Sequence, residues 1–589
     1  GKGEKTWGLM PAVLGNSENR YAFYNKFWED EDCGLETYLL EVIGTPQPQI
    51  RMRDASTNQF TGQTRAPRII EENSLPTSHK EALKNWEIAR EDFREILNKT
   101  RKELASLEQI RSAIQELDHL EDSLASNETL EELVIRNKKT KPPLIFRILR
   151  TPSTRFWKKE HKRLLNWQIL KERVAKFPED LTVHFFNNNL FKKKHEVRQQ
   201  LAPWCNKQIQ LLRDQVFVSA IKLHKAFIDA AAEPIRHNLG VFMRLVSNSN
   251  CISPKVRAKF IKDLWSTFFL VVPSVSTTFA SVSRMLQDLP LNTLGWLLID
   301  EAGQATPQAA VGAIMRSKRA IITGDPIQIE PVVTLSSKLT KAICQEFEVD
   351  ANRFNAPEAS AQTLADKASS YFAQFDIKDN GRRKVGLPLL VHRRCTDPMF
   401  SIANIIAYGG LMVQGKATSH SPVGKCLGGP TWFDITGKDI EKWCPEEGAK
   451  VLELLYRLKH ATIEPKLYIV TPFRKVADNL RKKIIDSKIL YGWLAPEKID
   501  SWPFHHIGTV HTLQGREAEA IILILGAQNS SGAREWAGRA PNLLNVAVTR
   551  AKEVMYVIGN RNSWKHHGVF KELHNSIEAY NMDVEEPYC

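Results

Sequence analysis

Apolar and polar positions divide the chain into stretches of different rhythm. From Ser78 to Leu124, the residues Leu83, Trp86, Phe93, Leu97, Leu104, Leu107, Ile110, Ile114, Leu117 and Leu124 recur mostly at threes, fours and sevens. Glu, Lys and Arg fill the positions between, and neither Pro nor Gly interrupts. This spacing predicts one long amphipathic helix, an arm of a coiled coil. Ile209, Leu212, Val216, Ala220, Leu223 and Phe227 repeat the pattern and predict a returning arm. Upstream, Tyr21, Phe23, Tyr24, Phe27 and Trp28 stand at helical spacings and predict a packed stripe, whereas Pro46 to Pro67 is polar and turn-rich and reads as a loop.

After about residue 260 the rhythm changes to short apolar runs. Phe268–Val272, Trp296–Ile299, Ala320–Thr323, Leu467–Val470, Ile507–Val510, Ala520–Leu525 and Val554–Ile558 have the length and composition of buried strands. Helical stretches alternate with them, which predicts parallel sheets in an α/β fold. Residues 332–385 read as helices and a connection between two sheets.

The run Trp296-Leu297-Leu298-Ile299 ends in adjacent carboxylates, Asp300 and Glu301. Ligands of open α/β sheets bind beyond the carboxyl ends of the strands. There Asp300 is placed to hold Mg²⁺, and Glu301 to orient and deprotonate a water. An ordinary strand-to-helix cap accounts for DEAG as well. Ser276, Thr277 and Thr278, after the Phe268–Val272 run, carry hydroxyls suited to phosphates or sugars, and equally to a plain turn.

Downstream of DEAGQ comes GDPIQIEP, from Gly324 to Pro331. These two strings, in this order, resemble motifs II and III of superfamily 1 helicases. GLPLLVHRRCTDPMF resembles motif IV, GTVHTLQGREAEAIIL from Gly508 resembles motif V, and NVAVTRAKEVMYVIGN from Asn545 resembles motif VI. The likeness is to the subgroup of the nonsense-mediated-decay helicase and senataxin, superfamily 1B, and it covers about half the chain. It implies tandem RecA-like P-loop NTPase domains with a long helical insertion, acting with ATP and Mg²⁺ on DNA or RNA, single-stranded. The organisation it implies is a first RecA-like domain begun in 1–75, a helical hairpin insertion in 76–245, the motif II and III part in 246–335, and a second RecA-like domain in 336–589.

The resemblance also assigns roles. Gln328 senses the γ-phosphate, with Asp325 beside the nucleotide. Arg394 and Arg550 stabilise the transferring phosphoryl group, with Arg393 a competitor for the first of these places because HRRC replaces the usual text. Gln514 and Gly515 lie near nucleotide or nucleic acid, and Glu517 binds the nucleotide sugar. Ser276, Thr277, Thr278, Thr471, Pro472, Phe473 and Thr512 touch the nucleic-acid strand.

Charge supports a polyanionic partner: the net charge is +14, and residues 136–177 alone hold 14 Lys or Arg against Glu160 and Glu172. Phe146, Phe156, Trp157 and Trp167 interleave with these cations. They suit stacked bases, and suit an inward-turned helical face slightly better. The eight cysteines show no CxxC spacing and predict reduced thiols rather than zinc or disulfides. No apolar run approaches about 18 residues and no signal peptide opens the chain, which predicts a cytoplasmic (bacterial) or nuclear setting, without membrane or secretion.

An NTPase of this type requires the phosphate cradle G-x-x-x-x-G-K-[ST]. The nearest string, Gly410 to Ala417, lacks the hydroxyl and follows motif IV. The expectation is that the first RecA-like domain is incomplete here and that the cradle belongs to an upstream segment. The alternative is a nucleic-acid clamp built on a degenerate helicase body.

Overall fold

The computed structural model describes residues 12–15, 17–30, 34–44, 50–53, 60–65, 76, 78–124, 129–144, 151–176, 194–201, 207–247, 252–325, 327–328, 330–377, 381–416, 421–513 and 515–585. Contacts divide the chain into two compact units, residues 1–293 and 294–589.

The first unit is dominated by helices. α1 (His79–Leu124) is one uninterrupted helix of 46 residues, and α4 (Lys207–Ala230) packs along it. Trp86 of α1 meets Phe227 of α4 with ring centroids 6.0 Å apart. The two predicted stripes therefore meet as a helix pair. Between them in sequence lie α2 (Leu130–Lys139), started by a capping box on Thr129, and α3 (Pro152–Val174). Leu124, Leu133, Val134, Leu164 and Trp167 form a small core that joins α1, α2 and α3.

Two expectations fail in this unit. Phe268–Val272 is not a strand: Phe268 to Val271 form the last turn of a helix, Pro254–Val271, with Ile261, Leu264, Trp265, Phe268 and Val271 buried. That burial follows a helical period, and Pro at the first helical position after Ser253 sets the start. The stretch read as a loop contains an antiparallel strand pair, Ile50–Arg53 with Phe60–Arg65. The aromatic stripe does pack, in part. Phe23 stacks on Phe27 and meets the buried Phe268 edge-on, and Trp28 is buried, while Tyr21 faces solvent.

The second unit contains the main sheet. Five strands, β3 (Thr431–Asp434), β4 (Leu467–Thr471), β5 (Ile507–Thr509), β6 (Ala518–Ile524) and β7 (Ala551–Gly559), run parallel in the order β3-β7-β6-β4-β5. The four runs read as strands after residue 460 are its centre and one edge. β3 was not foreseen, because Thr431-Trp432-Phe433-Asp434 is short and holds two apolar residues, of which Trp432 is the buried one. Both faces of β6 are covered, and Ala520 to Ile524 are fully buried, as a parallel sheet requires.

β1 (Leu297–Ile299) and β2 (Ala320–Ile322) form a separate parallel pair. They were expected to be buried throughout, yet Ile299 is their one buried residue and Leu298 is 73% exposed. Residues 332–385 do hold helices, among them α7 (Ala361–Ala368), but also an unforeseen hairpin, Ala373–Ile377 with Gly381–Val385. Among the described residues, no helix is long and apolar enough to cross a membrane.

Candidate functional site

β1 delivers the two carboxylates. The chain turns sharply after Ile299, because Glu301 has a left-handed backbone, φ 53 and ψ 36, and a short helical turn, Ala302–Gln304, follows. Asp300 accepts from the Glu301 amide at 2.9 Å and from the Thr323 hydroxyl at 3.2 Å. Glu301 accepts from Gln304 Nε2 at 3.0 Å. The Thr323 carbonyl takes the Ala302 amide at 2.9 Å. Gly324 is forced by this closeness, since a Cβ there would lie 2.8 Å from both the Ala302 and Gly303 nitrogens.

Asp325 then shapes the loop that carries Gln328. One of its oxygens accepts the Ile327 amide at 2.9 Å, and the other accepts from Gln328 Nε2 at 3.3 Å. The Tyr408 hydroxyl, just past α8 (Met399–Ala407), donates to that second oxygen. Burial first, then the Asp325 charge, hold Tyr408 well above the ordinary tyrosine range, so its hydroxyl keeps its proton. α9 (Pro541–Val548) closes the network. Asn545 Nδ2 donates to the Tyr408 oxygen at 3.0 Å and to the Ile327 carbonyl at 3.2 Å, and Asn542 donates to the Gln328 carbonyl at 2.5 Å. Among the described residues, Gln328 Oε1 is buried without a partner.

A cleft of about 1360 Å³ opens beside this loop, with Thr323, Asp325 and Gln328 on its lining and Arg393, Arg394 and Lys552 also on it. Arg394 pairs with Glu517 at 2.8 Å, and Lys552 binds the other Glu517 oxygen. The Lys552 hydrogen bond, with Arg394 adding to it, holds the Glu517 carboxyl below the usual range. Arg550 is buried. Its Nε donates to the Val546 carbonyl and one terminal nitrogen to the Arg516 carbonyl, both at 3.2 Å. Burial and then Arg394 push its pKa down, while Glu301 lies close enough to oppose them. His392 is driven down to about 4 by burial and by Arg394, and Cys395 up to about 12 by burial, so both are neutral near pH 7. Their neutrality leaves the arginines, with Lys416 and Lys552, as the positive charges of this wall.

The structure thus brings Asp300, Glu301, Asp325, Gln328, Arg393, Arg394, Glu517 and Arg550 into one region of the second unit. The donor set fits the metal and terminal-phosphate end of a magnesium nucleotide: an exposed carboxylate for a hard cation, and arginines with a lysine for phosphate oxygens. Gly515 takes a left-handed φ of 78 in the loop before Glu517. Gln514 lies outside the described residues.

The residues expected to touch a nucleic-acid strand are divided between the two units. Ser276, Thr277 and Thr278 belong to the first unit, where Val275–Ser276 pairs with Ala12–Val13. Thr471, Pro472 and Phe473 are all buried at the end of β4, with the Phe473 ring beneath Lys442 and Trp536. Arg474, the next residue, is 91% exposed at its side chain. Thr512 is exposed and bonded to Thr509. Sequence reasoning did not single out Tyr408, Asn542 and Lys552. Asn545 and Lys552 sit inside a recognised motif and could have been found there, but nothing local marks Tyr408.

Comparison with known proteins agrees with this order of parts. Two family models, each described as an AAA domain, match residues 245–336 and 430–562. An uncharacterised ATP-dependent helicase of Methanocaldococcus jannaschii is 24% identical over 47% of this chain and 38% of its own length. A probable RNA helicase of Drosophila melanogaster is 25% identical over 48% of this chain and 25% of its own length. A Drosophila homologue of regulator of nonsense transcripts 1 is 25% identical over 45% and 20%. The matched part therefore spans well under half the length of these relatives. Motifs, AAA matches and relatives agree: the chain carries AAA domains typical of superfamily 1B helicases and is distantly similar to the nonsense-decay type.

Proposed function

We propose that the chain is the motor part of an ATP-dependent helicase or translocase that moves on single-stranded DNA or RNA, built on RecA-like domains. The observation that carries this reading is the cleft of the second unit, which unites the loop bearing Asp325 and Gln328 with Arg393, Arg394, Glu517 and Lys552. A bound magnesium nucleotide supplies the phosphoanhydride to be cleaved. Asp300 would hold the cation, which would supply charge neutralisation at the phosphates. Glu301 orients a water and takes its proton. Arg394 and Arg550 lie ready to neutralise charge that develops on the phosphoryl oxygens. Gln328, on a loop fixed by Tyr408 and Asn545, is the group that reports the terminal phosphate to the strand-binding segments.

The test is phosphate release by a protein extended upstream to include a phosphate cradle, with and without single-stranded DNA and RNA. Nucleic acid should stimulate turnover, and Glu301→Gln should lower kcat by at least about 10²-fold, as expected for loss of a general base. Unchanged turnover in that variant, or no hydrolysis with either nucleic acid, defeats the proposal. One observation favours a second reading: the 589 residues contain no G-x-x-x-x-G-K-[ST] string. On that reading the same body is a clamp that binds nucleic acid without hydrolysis.

A further inference from the structure

The most basic stretch of the sequence belongs to the first unit, and the proposed chemistry does not use it. Its main element is α3. The inner face is settled: Thr154, Trp157, Leu164, Trp167 and Leu170 are buried. Trp157 Nε1 donates to the Asn137 carbonyl and Trp167 Nε1 to Glu121, each at 2.9 Å. Those two aromatics hold the helix in place and are not available to bases.

The opposite face carries Arg155, Lys158, Lys159, Lys162 and Arg173, all exposed. Arg155, Lys159, Lys162 and Arg173 are separated by four, three and eleven residues, which at 100° per residue keeps them within one narrow stripe. At 1.5 Å per residue the stripe is about 27 Å long. Two acids of the region are occupied on the flanks, Glu160 by Arg136 and Glu131 by Lys171, while Glu172 is exposed beside Arg173. Among the described residues, none of the five cations of this face has an ion pair with an acid. Lys138 and Lys139 are exposed at the end of α2, which Asn137 ties to α3 through Trp157 and His161. Phe156, 69% exposed, borders the stripe.

We propose that this face of α3 is a second nucleic-acid tract, which grips the phosphodiester backbone independently of nucleotide in the cleft. A row of unpaired cations is complementary to a polyphosphate, and its binding is driven by counterion release. An anionic membrane fits less well, because an interfacial helix needs a broad free apolar face, whereas α3 turns its main apolar face against α1 and α2 and leaves just Phe156, Leu165 and Ile169 as exposed large apolar residues. The proposal rests on the nucleic-acid part of the function above, but not on hydrolysis.

The test is fluorescence anisotropy of a labelled 20-nucleotide RNA and its DNA counterpart with the full chain, across a salt series. The fourfold variant Arg155→Gln, Lys159→Gln, Lys162→Gln, Arg173→Gln should bind at least about tenfold more weakly at 100 mM salt. Its log K against log salt slope should be shallower by roughly 2 to 3, since each lost phosphate contact on a single strand is worth about 0.7. A control removes four exposed cations elsewhere in the same unit, Lys84→Gln, Lys255→Gln, Lys259→Gln, Lys262→Gln. It should keep most of the affinity, and circular dichroism should show both variants equally helical. Equal losses in the two variants, an unchanged slope in the first, or binding to anionic vesicles but not to nucleic acid each overturn the proposal. Glu301→Gln should leave this binding intact. Hydrolysis is scored separately, so the tract and the motor stand or fall by different readouts.

Discussion

At the scale of single residues, two titratable groups, one buried and one half-buried, pull stability in opposite directions. Glu447 is fully buried and accepts from the Gly526 amide at 2.8 Å and from Gln528 at 2.7 Å, yet burial outweighs these bonds and lifts its pKa to about 7. The folded protein therefore holds this proton more firmly than the unfolded chain does, and stability falls as pH rises from the ordinary glutamate value to about 7. His392, driven down to about 4, does the reverse: folded protein resists its protonation, so stability rises with pH between about 4 and 6.5. The two slopes largely cancel between pH 5 and 6.5. Glu447→Gln should remove the downward one and leave a melting temperature that rises with pH across that window, as thermal unfolding at pH 5, 6 and 7 would record. The carboxylates and arginines of the site were legible in the sequence because each sits beside an apolar run within a recognisable string. Glu447 was not, because its environment comes from Gly526 and Gln528, about 80 positions away.

At the scale of elements, the loop between Asp325 and Gln328 owes its shape to partners from α8 and α9. Tyr408→Phe deletes one hydroxyl and leaves a buried Asn545 donor and an Asp325 oxygen short of a partner. The expected cost is about 1 to 3 kcal/mol, the price of unsatisfied buried polar groups. Denaturant unfolding should show it as a lower midpoint with an unchanged slope. Helices and strands were readable to different degrees, for a physical reason. α1 declared itself over 46 residues of period 3.6, and β4, β6 and β7 over runs buried on both faces. Phe268–Val272 misled because five apolar residues fit a strand or the end of a buried helix equally well. Its identity lay fourteen positions upstream, at Pro254. The hairpin of 373–385 was missed because its pairing, not its composition, makes it a strand pair.

For the whole molecule, burial is far from even. One continuous core runs from Cys395 to Ile577 around the five-stranded sheet, whereas β1 and β2 form a pair with Leu298 and Ile321 exposed. Hydrogen exchange should therefore be slowest in β4, β6 and β7, at the global unfolding limit, and faster by orders of magnitude in β1 and β2. Uniform protection across both sheets would contradict this picture. Charge is uneven as well, since residues 136–177 carry +12 of a net +14. The left-handed backbone at Glu301 has its own consequence. Glycine would occupy that conformation freely, whereas an L-residue there costs about 1 kcal/mol. The fold is thus held slightly above its attainable minimum at the position assigned the general base. Glu301→Gly is expected to relax the backbone while silencing hydrolysis, a local trade of stability against chemistry.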